Sequence, residues 1–124
     1  MSITLSSPQT VSINGVQVES DTQGAATQLS YDFLANIATL RFDIGSGAPA
    51  AFNIAVYNVP AILTVNMTTG VWSAVNPISG ALLGSGTFSG AGFAAFQNQF
   101  KAIRNAAEGF AASQFMPGTE VAWT

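Results

Sequence analysis

The sequence predicts a mainly β protein of the α+β type: an antiparallel β-sandwich or barrel of about six to eight short strands, with one C-terminal amphipathic helix packed on it. Two observations lead to this fold class. Short runs that alternate apolar and polar residues, separated by turn signals, fill residues 1–88, and the apolar period becomes helical over residues 89–115. A final strand is expected at residues 119–123. Because the chain has 124 residues, enough for one core, we expect a single domain over residues 1–124.

The first hairpin is predicted around Asn14 and Gly15. An Asn-Gly pair readily supplies the two positive-φ residues of a type I′ turn. The register of this turn would pair Ile13 with Val16 and Val11 with Val18, which gives the hairpin one apolar face.

Two later segments share a turn pattern. Each has an Asx residue (Asp or Asn) and, four positions later, a residue that can adopt the left-handed conformation. The first segment has Asp32 and Asn36, and the second has Asn66 and Gly70. The Asx side chain can close the turn through its own backbone, so each segment is predicted to be a hairpin with a four-residue loop. An internal duplication would explain the similarity, and so would shared loop geometry alone.

The predicted registers place apolar or aromatic residues across from one another on neighbouring strands. These facing pairs are Leu29 with Leu40, Tyr31 with Ala38, and Val65 with Trp72. Residues 51–57 alternate with period two and indicate another strand, ended near Pro60. Residues 81–88 indicate one more, in which the glycines favour a bulge or bend.

From Ser89, a plausible N-cap, the apolar residues follow one another at steps of three and four. Pro117 and Gly118 rule out continuation of the helix. We expect this stripe to pack across the chain's own sheet; a groove on another subunit and a membrane surface are the alternatives. The predicted stripe consists of Phe93, Phe96, Phe100, Ile103 and Phe110.

Catalysis is not expected, because the chain has no histidine, no cysteine and only six acidic residues. Asp32 and Asp43 are the nearest candidates for a carboxylate pair, but the predicted hairpin separates them by on the order of 20 Å. Glu19 and Asp21 lack the spacing of a calcium loop. The glycines from Gly84 to Gly90 match neither phosphate-binding pattern. We therefore expect no catalytic residue, no cofactor and no metal.

Charge and hydropathy limit the partners. With three basic residues and a formal net charge of -3, the chain is not expected to have a basic surface that binds nucleic acid. Polar residues interrupt each apolar run well before the ~20 residues of a membrane-spanning helix, and the start of the chain lacks the pattern of a secretion signal. We expect no membrane partner. The small number of charges indicates a surface covered mostly by other protein chains.

The segments Tyr31–Leu40 (YDFLANIATL) and Val65–Trp72 (VNMTTGVW), with the start Ser2–Leu5 (SITL), resemble small tailed-bacteriophage virion proteins. The resemblance implies a structural protein of the virion, either capsid decoration or cement, or a tail or baseplate subunit. It implies assembly in the host cytoplasm and contacts with copies of itself or other virion proteins. It carries over no site residue.

A non-catalytic binding module is the alternative function. Exposed aromatic side chains can grip a glycan or a peptide, and Tyr57, Trp72 and Trp123 are the candidates.

Overall fold

The structure is a computed structural model that describes residues 3–13, 16–47, 51–55 and 58–122, and only the backbone between residues 6 and 22. The chain divides into two compact units, Met1–Gly86 and Thr87–Thr124. The first unit contains the sheet and the second contains the helix. The packing of the helix on the sheet stays a prediction, as does the single domain.

The first unit is one antiparallel sheet that curls into a half-barrel, so the mainly β fold with one C-terminal helix is confirmed. The strands lie in the order β1-β2-β3-β5-β6-β7, and β4 pairs with β3. The elements are β1 (Ile3–Ile13), β2 (Val16–Asp32), β3 (Ile37–Ser46), β4 (Asn53–Ile54), β5 (Ala61–Asn66), β6 (Val71–Val75), β7 (Leu82–Thr87) and α1 (Gly90–Gln114).

The first hairpin joins two strands of 11 and 17 residues, longer than the short strands expected. Ile13 pairs with Val16 as predicted. The predicted pairing of Val11 with Val18 is wrong, because a register shift between Val11 and Ser12 places Val11 opposite Glu19. The predicted turn at residues 14–15 lies outside the described residues.

The centre of the sheet follows the predicted registers. Tyr31 lies opposite Ala38, Ala38 opposite Val65, and Val65 opposite Trp72, so one row of side chains crosses four strands. The two inner members, Ala38 and Val65, are fully buried, and Met67 is buried beside them in the following loop. Leu29 pairs with Leu40 in the next row, which confirms that part of the prediction as well.

Within the described part of the predicted strand at residues 51–57, which is residues 51–55, only the two residues of β4 form a strand. A Cβ atom at Gly45 would lie 1.9 Å from the carbonyl oxygen of Asn53, so only glycine permits this approach of β4 to β3. Within the described part of that segment, Ala55 is buried and its N–H donates to the carbonyl oxygen of Ile44.

In the second unit α1 spans 25 residues, close to the predicted bounds. Ser89 is the N-cap in extended conformation, although its side chain makes no capping hydrogen bond. At the other end the N–H groups of Phe115 and Met116 both donate to the carbonyl oxygen of Ala111. The predicted strand at residues 119–123 is wrong for its described part, because residues 119–122 have no strand structure.

The predicted aromatic stripe of α1 is covered at its start and open at its end. Phe100 is buried, and Phe93 and Phe96 are half-buried. Ile103 is 52% exposed and Phe110 is 64% exposed, whereas Arg104 is half-buried. The packing of the whole stripe against the sheet stays a prediction.

Candidate functional site

Asp43 on β3 is the one buried polar or charged residue among those whose burial is described. The Nε atom of Arg41 donates to both carboxylate oxygens at 3.0 Å, and one Nη atom lies 3.0 Å from Oδ1. The hydroxyl of Thr27 and the side-chain amide of Asn58 donate to the same carboxylate. With this many donors the carboxylate is fully hydrogen-bonded. The arrangement is that of a structural ion pair.

The pKa of the Asp43 carboxyl lies below its ordinary value. Burial alone would raise this pKa, because burial penalises the charged form. The hydrogen bonds from Arg41, Thr27 and Asn58, together with the positive charge of Arg41, outweigh burial. The carboxylate therefore stays ionised at neutral pH and has no proton to give as a general acid.

Asp32 ends β2 and lies beside the start of β3, whereas Asp43 lies near the end of β3. Its Oδ1 atom accepts the backbone N–H groups of Leu34 and Ala35 at 3.0 Å, which is the predicted turn-closing role. Asp32 pairs with Ile37, and Asp43 lies six positions further along β3 than Ile37, or about 20 Å. The two carboxylates cannot converge on one substrate.

The two predicted loops have the expected geometry and lie side by side. Asn36 and Gly70 are in the left-handed region, at φ of 57° and 81°. In the second loop Asn66 Oδ1 accepts the N–H groups of Thr68 and Thr69. The side-chain amide of Asn36 donates to the hydroxyl of Thr68 at 3.0 Å, so the two loops are hydrogen-bonded to each other.

A third loop with the same chemistry joins β6 to β7, and the sequence analysis missed it. Asn76 Oδ1 accepts the N–H groups of Ile78 and Ser79, and Gly80 has φ of 74°. The N–H of Gly80 donates to the carbonyl oxygen of Asn76 at 2.7 Å, as Gly70 does to Asn66. The signal was available, because an Asx residue again precedes a glycine by four positions.

Trp72 is a packing residue rather than an open aromatic platform. It is half-buried, and its indole ring lies over two glycines of β7. A Cβ atom at Gly86 would lie 3.1 Å from the indole Nε1, and one at Gly84 would lie 3.3 Å from the far edge of the ring. The other two candidate aromatic residues, Tyr57 and Trp123, lie outside the described residues.

The remaining candidate sites show no binding geometry. Gly84–Thr87 belong to β7 rather than to a loop that could cradle phosphate. Glu19 and Asp21 lie in the part of β2 for which only the backbone is described. Among described residues, no group of three or more His, Cys, Asp or Glu side chains could hold a metal ion. Across the same residues, α1 included, no helix combines the length and the apolar character needed to cross a membrane.

Large apolar side chains are exposed in both units. In the sheet unit they include Leu34 at 91%, Ile78 at 75%, Leu82 at 63% and Leu83 at 58%. In the helix unit the most exposed are Val121, Phe115, Met116, Phe110 and Ile103. Single exposed apolar residues are common in proteins, so it is their number on a chain of this size that distinguishes this surface.

One row of side chains across the sheet consists of hydroxyl residues. Ser30 pairs with Thr39, Thr39 with Thr64, and Thr64 with Ser73, so the row crosses β2, β3, β5 and β6. Ser30 and Thr64 are exposed, and the other two are half-exposed. The hydroxyl groups make this row polar without adding charge.

Comparison of the chain with protein-family models, with curated proteins and with solved structures finds no match.

Proposed function

We propose that this protein is a structural subunit of a large protein assembly and acts through protein–protein contacts. The observation that carries the proposal is the exposure of large apolar side chains in both units, among them Leu34, Ile78 and Val121. Such side chains supply the kind of surface that a partner buries.

The electrostatics support the same proposal. No charged residue occurs between Asp43 and Lys101, a segment that includes four of the seven strands. Proteins that stay separate at high concentration rely on surface charge to repel one another, and this chain has few charges with which to do so. A surface of hydroxyl and apolar groups suits permanent contacts.

The assembly that we propose is a tailed-bacteriophage virion, with the chain as a capsid decoration or cement protein or as a tail or baseplate subunit. This part rests on the resemblance of the hairpins at residues 31–40 and 65–72, whose registers and turn geometry are as expected. The partners would be further copies of the chain or other virion proteins.

The experiment is a size measurement of the purified protein by sedimentation velocity over the micromolar range. We expect self-association, or co-purification with a larger particle. A monomer throughout this range, binding a glycan on an array, would overturn the proposal in favour of the binding module. Phage particles probed with an antibody against the chain test the virion assignment separately, and absence of the chain from particles would refute it.

A further inference from the structure

β7 lies beside β6 and ends the strand order, so it is an edge of the sheet. Its residues are exposed from Leu82 to Thr87, apart from the half-buried Gly84. An edge strand presents a row of backbone N–H and C=O groups that can pair with another strand. Native proteins usually protect such edges with charges, prolines or bulges.

The two strands that end the strand order, β1 and β7, differ in how their edges are protected. β1, at the other edge, contains Pro8 and has register shifts between Thr4 and Gln9 and between Val11 and Ser12. Prolines and register shifts interrupt the hydrogen-bonding pattern that an incoming strand needs. β7 has the sequence LLGSGT, with neither a proline nor a charge. The β7 edge is therefore the one open to strand addition.

The chemistry of β7 suits a second copy of the same chain. A two-fold contact brings side chains close to their own copies, so a charged edge would repel itself. β7 and the long uncharged segment around it avoid that repulsion. Leu82 and Leu83 are consecutive and point to opposite faces, so pairing would cover apolar surface on both sides of the sheet.

We propose that β7 pairs antiparallel with β7 of a second copy, which extends the sheet across a two-fold axis into a dimer. The inference rests on the proposed function, because it names one contact through which the assembling chain joins itself. The backbone hydrogen bonds of the two edges supply the affinity, and the leucines exclude water from them.

The test uses two variants at the centre of β7, Ser85→Lys and Ser85→Glu. Each variant places like charges near one another across the two-fold axis, so we expect each to dissociate at least about tenfold more readily than the wild type. An equimolar mixture of the two should recover association, because the lysine of one copy then faces the glutamate of the other. Sedimentation velocity measures all three samples.

Thr64→Lys is the matched control, because it adds the same charge to an exposed position of β5 in the middle of the sheet. It should associate like the wild type. Circular dichroism verifies that each variant is folded. If Ser85→Lys associates like the wild type, β7 pairing is refuted while assembly through another surface stands. If the mixture of the two Ser85 variants does not recover association, β7 does not face its own copy. A wild type that stays monomeric would refute the dimer.

Discussion

A single buried carboxylate controls the geometry of the sheet around β3. Asp43 joins Thr27 of β2 and Asn58 of the segment before β5, and Asn58 Oδ1 in turn accepts the N–H of Ile44 at 3.0 Å. Removing one partner of a buried ion pair leaves the other groups without a counterpart. The cluster therefore holds together three segments that are distant in sequence.

We expect Asp43→Asn to lower the free energy of unfolding by about 2 kcal/mol, since the amide cannot accept from every donor around it and no longer neutralises Arg41. Urea unfolding followed by fluorescence measures the loss. Glu108→Gln is the control: it removes the exposed pair between Arg104 and Glu108, 3.1 Å apart, and should cost less than about 0.5 kcal/mol. Equal losses in the two variants would contradict the structural role of Asp43.

The same carboxylate predicts how stability depends on pH. Because the pKa of Asp43 is lower in the folded than in the unfolded chain, its contribution is complete above the unfolded value of about 3.9 and is lost as the pH falls through the lowered folded pKa. The unfolding free energy should thus drop in acid more steeply for the wild type than for Asp43→Asn. Urea unfolding between about pH 2 and pH 6 measures both curves, and parallel curves would refute the assignment.

At the scale of the elements, the three Asx loops test whether local chemistry sets the hairpins. Gly80 has φ of 74°, and a Cβ atom there would meet no atom within 4 Å. Gly80→Ala should therefore lower the free energy of unfolding by about 1 kcal/mol, because alanine is disfavoured in the left-handed conformation. Gly92→Ala is the matched control, since its Cβ also has open space but lies in α1, where alanine should stabilise by up to about 1 kcal/mol.

Thermal unfolding of both variants decides the matter. The two changes in stability should have opposite signs, and a Gly80→Ala variant as stable as the wild type would mean that this turn tolerates an ordinary residue.

The third loop also bears on the duplication of residues 29–40 and 63–74. Because the geometry recurs at Asn76 and Gly80, immediately after the second segment, loop chemistry suffices to explain the similarity.

The hairpins could be predicted because their signals are local. An Asx side chain and a left-handed residue four positions later determine the turn, and the turn determines which residues pair. The failures depend on distant contacts. The register shift at Val11 leaves no trace in the alternation of residues, and the pairing of β4 with β3 depends on the close approach of Asn53 to Gly45. Periodicity places Phe110 on the stripe of α1 but cannot say what covers it.

For the molecule as a whole, the amino-acid composition predicts which forces act when it contacts other molecules. The chain has nine charged residues, and many of its large apolar side chains are exposed. Salt screens ion pairs across an interface, with a Debye length of about 10 Å at 0.1 M salt. It does not weaken the burial of apolar surface or the hydrogen bonds of paired strands in this way. Contacts made by this surface should therefore differ from electrostatic association in their response to salt.

We predict that the self-association constant changes by less than about twofold when sodium chloride is raised from about 0.05 to 0.5 M. Sulfate should strengthen the association, because excluded salts favour the burial of apolar surface. Sedimentation velocity of the wild type measures both effects, and an equimolar mixture of Ser85→Lys and Ser85→Glu is the matched control. The mixture owes part of its affinity to an introduced ion pair, so sodium chloride should weaken it. A wild type as sensitive to sodium chloride as the mixture would mean that the few charges of the chain, rather than its neutral surface, hold the assembly together.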